Sequence, residues 1–139
     1  MASFLGYKTH WFSLDVLYKL YVQSSGVAGC RVGGQIVSAR HAEDPLSFAR
    51  ADLLAQYPGD EHQPDDHLFF DRKNFWLPRE LIRDVRVSTR RSIWAGATTN
   101  SGSVRLRLRE ARTWRFVLLG RQEPAAIELA FSSSGYLVS

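Results

Sequence analysis

The residues able to do chemistry are few and mostly scattered. Histidines occur at His10, His41, His62 and His67. The richest window is Asp60 to His67, DEHQPDDH, where His62, Asp65, Asp66 and His67 are all metal-ligand types. Their spacing does not place two ligands on one helix face, as zinc hydrolases do, and Pro64 argues against a helix. The window reads as a solvated acidic loop, and no metal site is expected. The paired carboxylates Asp65-Asp66 fall in that loop. Cys30 stands alone in an apolar, Gly-rich run, so a buried inert thiol is expected and no internal disulfide can form. Gly33-Gly34 has no following Lys and does not fit a nucleotide-phosphate loop. No Ser, Cys or His sits in a recognisable nucleophile setting, so catalysis is not expected, and neither is a cofactor.

Arginine is the chemistry that recurs. In Val104 to Leu119, VRLRLREARTWRFVLL, Val104, Leu106 and Leu108 alternate with Arg105, Arg107 and Arg109. Trp114, Phe116 and Leu118 alternate with Thr113, Arg115 and Val117. Successive side chains in a strand point to opposite faces, so this is a hairpin with one oily face and one arginine face. With Glu110, Ala111 and Arg112 as the loop, Leu108 lies across from Trp114, Leu106 from Phe116 and Val104 from Leu118. A one-residue slip would bury arginines, which fixes the faces. That register sets Arg107 opposite Arg115, a destabilising like-charge pair that calls for a neighbouring acid or a bound anion. Arg86, Arg105, Arg107, Arg109 and Arg115 are the candidate residues for an anionic partner. The competing reading is an ordinary solvated face, partly neutralised by Asp84, Glu110 or the acidic loop.

The elements that would position these residues are short. Val16 to Val22 reads as a strand with Val16, Tyr18, Leu20 and Val22 on one face, followed by a turn over Gln23 to Gly26. Val27 to Val32 and Gln35 to Ala39 read as two further strands broken at Gly33-Gly34. Asp44-Pro45 marks a helix start, with the helix expected to run to about Gln56 before Tyr57-Pro58-Gly59 stops it. Leu68 to Phe70 and Asn74 to Leu77 look like short strands, and Pro78 to Leu81 a turn. Ile82 to Thr89 is a strand with Val85 and Val87 inward and Arg86 and Ser88 outward. Ile93 to Ala95 is a short apolar piece, and Gly96 to Ser103 a loop. A helix is expected over Gln122 to Phe131, with Ile127 and Phe131 inward and Leu129 or Ala130 able to join them. Ser132 to Ser139 is a loose tail in which Tyr136 to Val138 can pack.

The totals bound the class. The chain has 139 residues, 45% of them hydrophobic, with four Trp, five Tyr and eight Phe, enough for one domain with a real core. The N-terminus MASFLGYKTHWF lacks the pattern of a signal peptide, and no apolar run spans a bilayer. A cytoplasmic protein, peripheral to the membrane at most, is the expectation. Net charge is +4 but uneven. Residues 1–71 carry five basic against nine acidic side chains, and residues 72–139 thirteen against five. Fifteen of the eighteen basic residues are Arg, whose planar fork suits carboxylate and phosphate better than Lys does.

The segment FWLPRELIRDVRV followed by SVRLRLREARTWRFVLL resembles the pleckstrin-homology superfold, in particular its bacterial PH-like and GRAM-like branches. The resemblance spans about residues 68–131 and, more loosely, the early strands. It implies a mainly β, α+β fold: a partly open barrel or sandwich of about seven short antiparallel strands with a C-terminal capping helix. Residues 45–67 would then be an inserted helix and acidic loop within a single domain of residues 1–139. Functions in that superfold range over phosphoinositide binding, peptide binding and architecture. Lipid-binding members use the loop between the first strands, and the corresponding loop, Gln23 to Gly26, has no Lys or Arg. The expected function is a non-catalytic module presenting its arginine face to an acidic protein surface. The alternatives are peripheral binding to anionic lipid, a structural domain with no ligand, or a cryptic enzyme. Nucleic acid is disfavoured because the same register turns Trp114 and Phe116 away from the arginines, whereas a stacking platform needs both on one face. Strand edges leave room for a homo-oligomer.

Overall fold

The computed structural model describes residues 3–8, 15–34, 44–59, 67–90 and 99–139. Seven antiparallel strands form one curled, half-barrel sheet: β1 (Ser3–Lys8), β2 (Val16–Gln23), β3 (Gly26–Gly33), β4 (Phe75–Pro78), β5 (Ile82–Ser88), β6 (Asn100–Leu108) and β7 (Thr113–Leu119). The strand order is β4-β3-β2-β1-β7-β6-β5. Helical pieces are the 3-10 turns Pro45–Phe48 and Arg79–Leu81, the single turns α1 (Ala51–Leu54) and α2 (His67–Phe70), and the C-terminal α3 (Pro124–Ser133). No helix among the described residues is long and apolar enough to cross a membrane.

The sequence reading overlooked β1, the strand at the centre. It pairs with β2 from Ser3↔Tyr21 to Lys8↔Val16 and with β7 at Tyr7↔Val117. Every residue from Ser3 to Tyr7 is buried. A strand covered on both faces loses the apolar–polar alternation by which strands are read. Gly6 is required there, because a Cβ would stand 2.6 Å from Leu20 Cδ1 and 2.8 Å from Phe116 Cβ. The segment connecting the first two strands is therefore residues 9–15, not Gln23 to Gly26. The latter closes the second hairpin, as a tight turn at Ser24-Ser25.

Two apolar layers follow from the alternation. The concave face gathers Val16, Tyr18, Leu20, Val22, Val85, Leu106 and Phe116, and α3 closes over it with Ile127 and Phe131. Both helix residues are fully buried, each contributing roughly 1.5–3 kcal/mol. Leu129 instead points outward, at 66% exposure. The convex face of β1, β2, β3 and β7 carries Tyr7, Leu17, Tyr21, Cys30 and Val117, covered by Phe48, Ala49, Leu54 and Tyr57. The segment around 44–59 thus packs on the outside of the sheet. It is not one helix over 45–56: Ala49 and Arg50 are extended, and the Arg50 amide donates to Val32 O at 2.7 Å, tying the break to the end of β3.

Other expectations are corrected. Leu68 to Phe70 is helical, not a strand; the Asn74 side chain beside it donates to Tyr57 Oη at 2.8 Å and accepts from the Arg31 amide at 2.7 Å. β6 begins at Asn100, inside the expected loop, because its first residues are polar yet pair Asn100↔Leu119 and Ser103↔Val117. Gly102 makes this possible: its φ is +124°, and a Cβ would lie 2.0 Å from Ser88 O. The tail is not loose. The Val85 amide donates to Leu137 O at 2.8 Å, and the Ser139 amide to Val85 O at 2.9 Å, so the tail runs parallel along the outer edge of β5. The expected pieces at Gln35 to Ala39 and Ile93 to Ala95 lie outside the described residues.

Candidate functional site: an arginine row across three strands

The hairpin β6–β7 keeps the expected faces but slides by one pair. The Leu108 amide donates to Arg112 O at 2.8 Å and the Ala111 amide to Leu108 O at 3.2 Å, so the loop is Arg109 to Ala111. Ala111 takes φ 66°, the left-handed position that usually carries Gly in such a three-residue loop. Leu106 then faces Trp114, Val104 faces Phe116 and Arg107 faces Thr113. The expected Arg107–Arg115 pair does not form; Arg105 faces Arg115 instead.

On its other side Arg105 faces Arg86 of β5. Arg86, Arg105 and Arg115 therefore stand side by side across three neighbouring strands, with backbones about 4.8 Å apart. Arg86 is exposed, and Arg105 and Arg115 are half-buried. Arg105 Nε is buried with no hydrogen-bond partner among the described residues. Burial, with the charges of Arg115 and Arg86 on either side, pulls the Arg105 pKa below the ordinary arginine value, yet guanidinium remains charged at neutral pH. Ser88 and Ser103 form the next cross-strand pair on the same face.

The row on the other side is neutralised. A bulge between Ile82 and Asp84 sets Asp84 opposite Arg107. Without the extra residue Asp84 would share the core-facing side of Ile82. Arg107 Nη2 lies 3.0 Å from Asp84 Oδ2, with side chains 41% and 7% exposed. Asp84 Oδ1 is buried and has no partner among the described residues. Arg109 is drawn off the row altogether. Its Nε donates to Glu80 O at 2.8 Å and its amide to Leu81 O at 2.9 Å. There it lines a 470 Å³ cleft with Arg79, Arg83, Asp84 and Tyr136. Of the five arginines expected to act together, three share one row, one is paired with an acid, and one braces the β4–β5 connection.

Trp114 and Phe116 are on the concave side. Phe116 is fully buried, and Trp114 packs edge-on to Phe75 with ring centroids 4.9 Å apart. Lys8, which the sequence reading did not single out, stands 5.0 Å from the Trp114 ring. Cys30 is fully buried on β3, and burial pushes its thiol up to about 12. The remaining metal-ligand candidate among the described residues, His67, is buried, with Nε2 3.0 Å from Phe75 O. His62, Asp65 and Asp66 lie outside the described residues. No three His, Cys, Asp or Glu side chains gather into a metal-binding group among the described residues.

A larger cavity, 590 Å³, opens beside β1 between Phe4, Leu5, Leu46, Leu54 and Tyr57. The Lys19 ammonium at its wall donates to Tyr57 O at 2.8 Å and to Gly59 O at 2.5 Å, so it pins the covering segment to the sheet.

No protein-family model, no curated protein and no solved structure matches the chain.

Proposed function

We propose that the chain is a non-catalytic interaction module of pleckstrin-homology-like architecture, and that it presents the convex face of β5, β6 and β7 to an acidic surface on a protein partner. The observation that carries this reading is the Arg86–Arg105–Arg115 row. Three like charges set side by side across a ladder cost stability, and among the described residues the one acid facing this patch across the ladder, Asp84, is already taken by Arg107. An acidic partner would offset the repulsion that Arg105 meets between Arg86 and Arg115 and would sit beside its Nε, which has no hydrogen-bond partner among the described residues. The strand order, with a C-terminal helix over the concave face, is consistent with the architecture named.

A protein partner is favoured over a membrane by what surrounds the row. Peripheral membrane surfaces combine basic residues with apolar side chains that enter the interface. The exposed large hydrophobics among the described residues are Leu46, Leu68, Phe70, Leu81, Leu129 and Leu137, and none lies on the convex face of these three strands. Nucleic acid is disfavoured for a related reason: the aromatic rings of β7 face the core, so bases would find no stacking platform beside the arginines.

The test compares the intact protein with Arg86→Glu/Arg105→Glu in affinity purification from the host and in co-sedimentation with phosphatidylserine vesicles. Arg50→Gln, at an exposed ion pair with Asp52 on the covering segment, is the control. A salt-sensitive partner retained by the control and lost by the double variant is expected. Identical partner profiles for all three proteins would remove the reading, and vesicle binding that depends on the row would replace it with the lipid alternative.

A further inference from the structure

We infer that the cleft between the start of β5 and the C-terminal tail is a binding site for the last residue of a partner polypeptide. The amide N–H of that residue donates to Asp84, its free carboxylate meets Arg109 and Arg83, and its apolar side chain packs on Tyr136 and Leu137. The site is distinct from the Arg86–Arg105–Arg115 row, goes beyond the reading above and does not rest on it. The cleft has a volume of 470 Å³, within the span of small-ligand sites, roughly 300–1,000 Å³.

Three polar groups on its wall are unspent. The Asp84 side chain is 7% exposed, and a carboxylate offers about four acceptor positions. One contact is present, from Arg107 Nη2 to Oδ2 at 3.0 Å, and Oδ1 has no partner among the described residues. Such a buried acceptor calls for an N–H or O–H donor. Arg109 is held through Nε by Glu80 O at 2.8 Å, and its two terminal nitrogens make no hydrogen bond among the described residues. Arg83, the extra residue of the bulge, is exposed, and its guanidinium makes no hydrogen bond or ion pair among the described residues. Arg79 is already engaged: it donates to Ser134 O at 3.1 Å and to Gly135 O, and it lies over the Tyr136 ring.

The ligand chemistry follows from these groups. A bare anion cannot satisfy Asp84. A cation, a metal ion included, meets three arginines against two acids in the lining, a net +1. The ligand therefore carries a neutral donor and, close to it, one negative charge. The terminal residue of a polypeptide has both on one carbon, an amide N–H and a carboxylate. Its planar carboxylate matches the paired terminal nitrogens of an arginine that is already fixed in place. A free amino acid fits less well, because its ammonium adds a second positive charge. Leu137, 68% exposed, extends the apolar wall outward and gives the preceding residues a surface to leave along.

The probe is acetyl-alanyl-alanyl-leucine with a free carboxylate, titrated into the intact protein while the Leu137 methyl and Arg109 Nε–Hε signals are followed by NMR. Two companions each lack one feature: the same peptide amidated at its C-terminus, and isocaproate, which keeps the side chain and carboxylate without the N–H. Saturable movement of both signals is expected with the free-acid peptide, and at least tenfold weaker binding of each companion. Arg83→Gln/Arg109→Gln should weaken the peptide at least tenfold while leaving the melting temperature near that of the parent. Asp84→Ala, if it folds, should bind the peptide no better than isocaproate; the comparison of peptide with isocaproate on the parent tests the same contact without that variant. Arg86→Glu/Arg105→Glu should bind the peptide as the parent does. Unsaturating drift, equal affinity for peptide and either companion, or unchanged binding by Arg83→Gln/Arg109→Gln would overturn the inference. So would loss of peptide binding in Arg86→Glu/Arg105→Glu, which would move the contact to the row. If the peptide fails while that double variant still loses an acidic protein partner, the cleft site falls and the interaction module stands.

Discussion

Two arginines on one strand, Arg105 and Arg107, should respond to mutation with opposite signs. Arg107 answers a carboxylate only 7% exposed. Arg107→Met leaves that charge without its partner and should cost about 1–2 kcal/mol, the lower part of the range for a broken ion pair because Arg107 itself is part-exposed. Arg105 sits between two like charges with a buried donor unmet. Arg105→Met removes both penalties and should raise the stability of the free protein by roughly 0.5–1 kcal/mol. Urea unfolding midpoints of the two variants test the contrast; a loss at Arg105 equal to that at Arg107 would mean the row is already compensated. Ala111 offers a third residue-level test. Its φ of 66° strains any side chain, so Ala111→Gly should stabilise by about 0.5–1 kcal/mol, the left-handed penalty less the added freedom of the unfolded chain.

At the scale of elements, β5 and the hairpin β6–β7 were legible because apolar residues alternate there with arginine, and the arginine face of the hairpin follows from that alternation alone. β2 was legible from its run of β-branched, aromatic and leucine side chains, although both its faces are largely covered. β1 was hidden because both its faces are covered and Gly6 interrupts its apolar run. The start of β6 was hidden because Asn100 to Ser103 is polar and Gly-containing, the usual look of a loop. Which arginine faces which could not be read, since one residue in the left-handed region, at Ala111, decides the register of the whole hairpin. The extra residue before Asp84 is equally silent, yet it sets Asp84 opposite Arg107. The three-arginine row needed both facts. Gly6→Val tests the weight of the central strand: side-chain atoms would meet Leu20 and the Phe116 Cβ, and a loss of about 1–3 kcal/mol is expected from overpacking, read as a lower melting temperature.

For the molecule as a whole, the buried tyrosines and the thiol set an alkaline limit. Tyr18 and Tyr136 are pushed up to about 12, chiefly by burial, and Cys30 likewise. In the unfolded chain these groups ionise near pH 10 and pH 8.5. Between those values and 12 the unfolded chain releases protons that the folded protein keeps, so stability must fall as pH rises. Denaturant midpoints should be flat near neutrality and decline from about pH 9 upward. Tyr136→Phe should flatten part of the decline above pH 10, and Cys30→Ala the part that begins below it. A midpoint unchanged to pH 11 would contradict the burial of these groups. Tyr136→Phe also removes the bond from Tyr136 Oη to Gln23 O, 2.5 Å long, and should cost about 1 kcal/mol at neutral pH.

The central placement of β1 bears on how the chain comes off the ribosome. β1 is made first, but the partner on its other side, β7, follows more than a hundred residues later, at Tyr7↔Val117. Until then β1 to β4 can form a sheet with an unpaired, apolar edge, a hazard for association with other nascent chains. The remaining strands arrive as a contiguous β5–β7 hairpin unit with α3, and the two parts meet along one seam. They also carry opposite charge, nine acids against seven bases in residues 1–78 and eleven bases against five acids in residues 79–139, so their encounter is steered by attraction. A chain cut at the exposed turn Arg79–Leu81 should therefore reassemble from two separately expressed pieces, faster in low salt than in high.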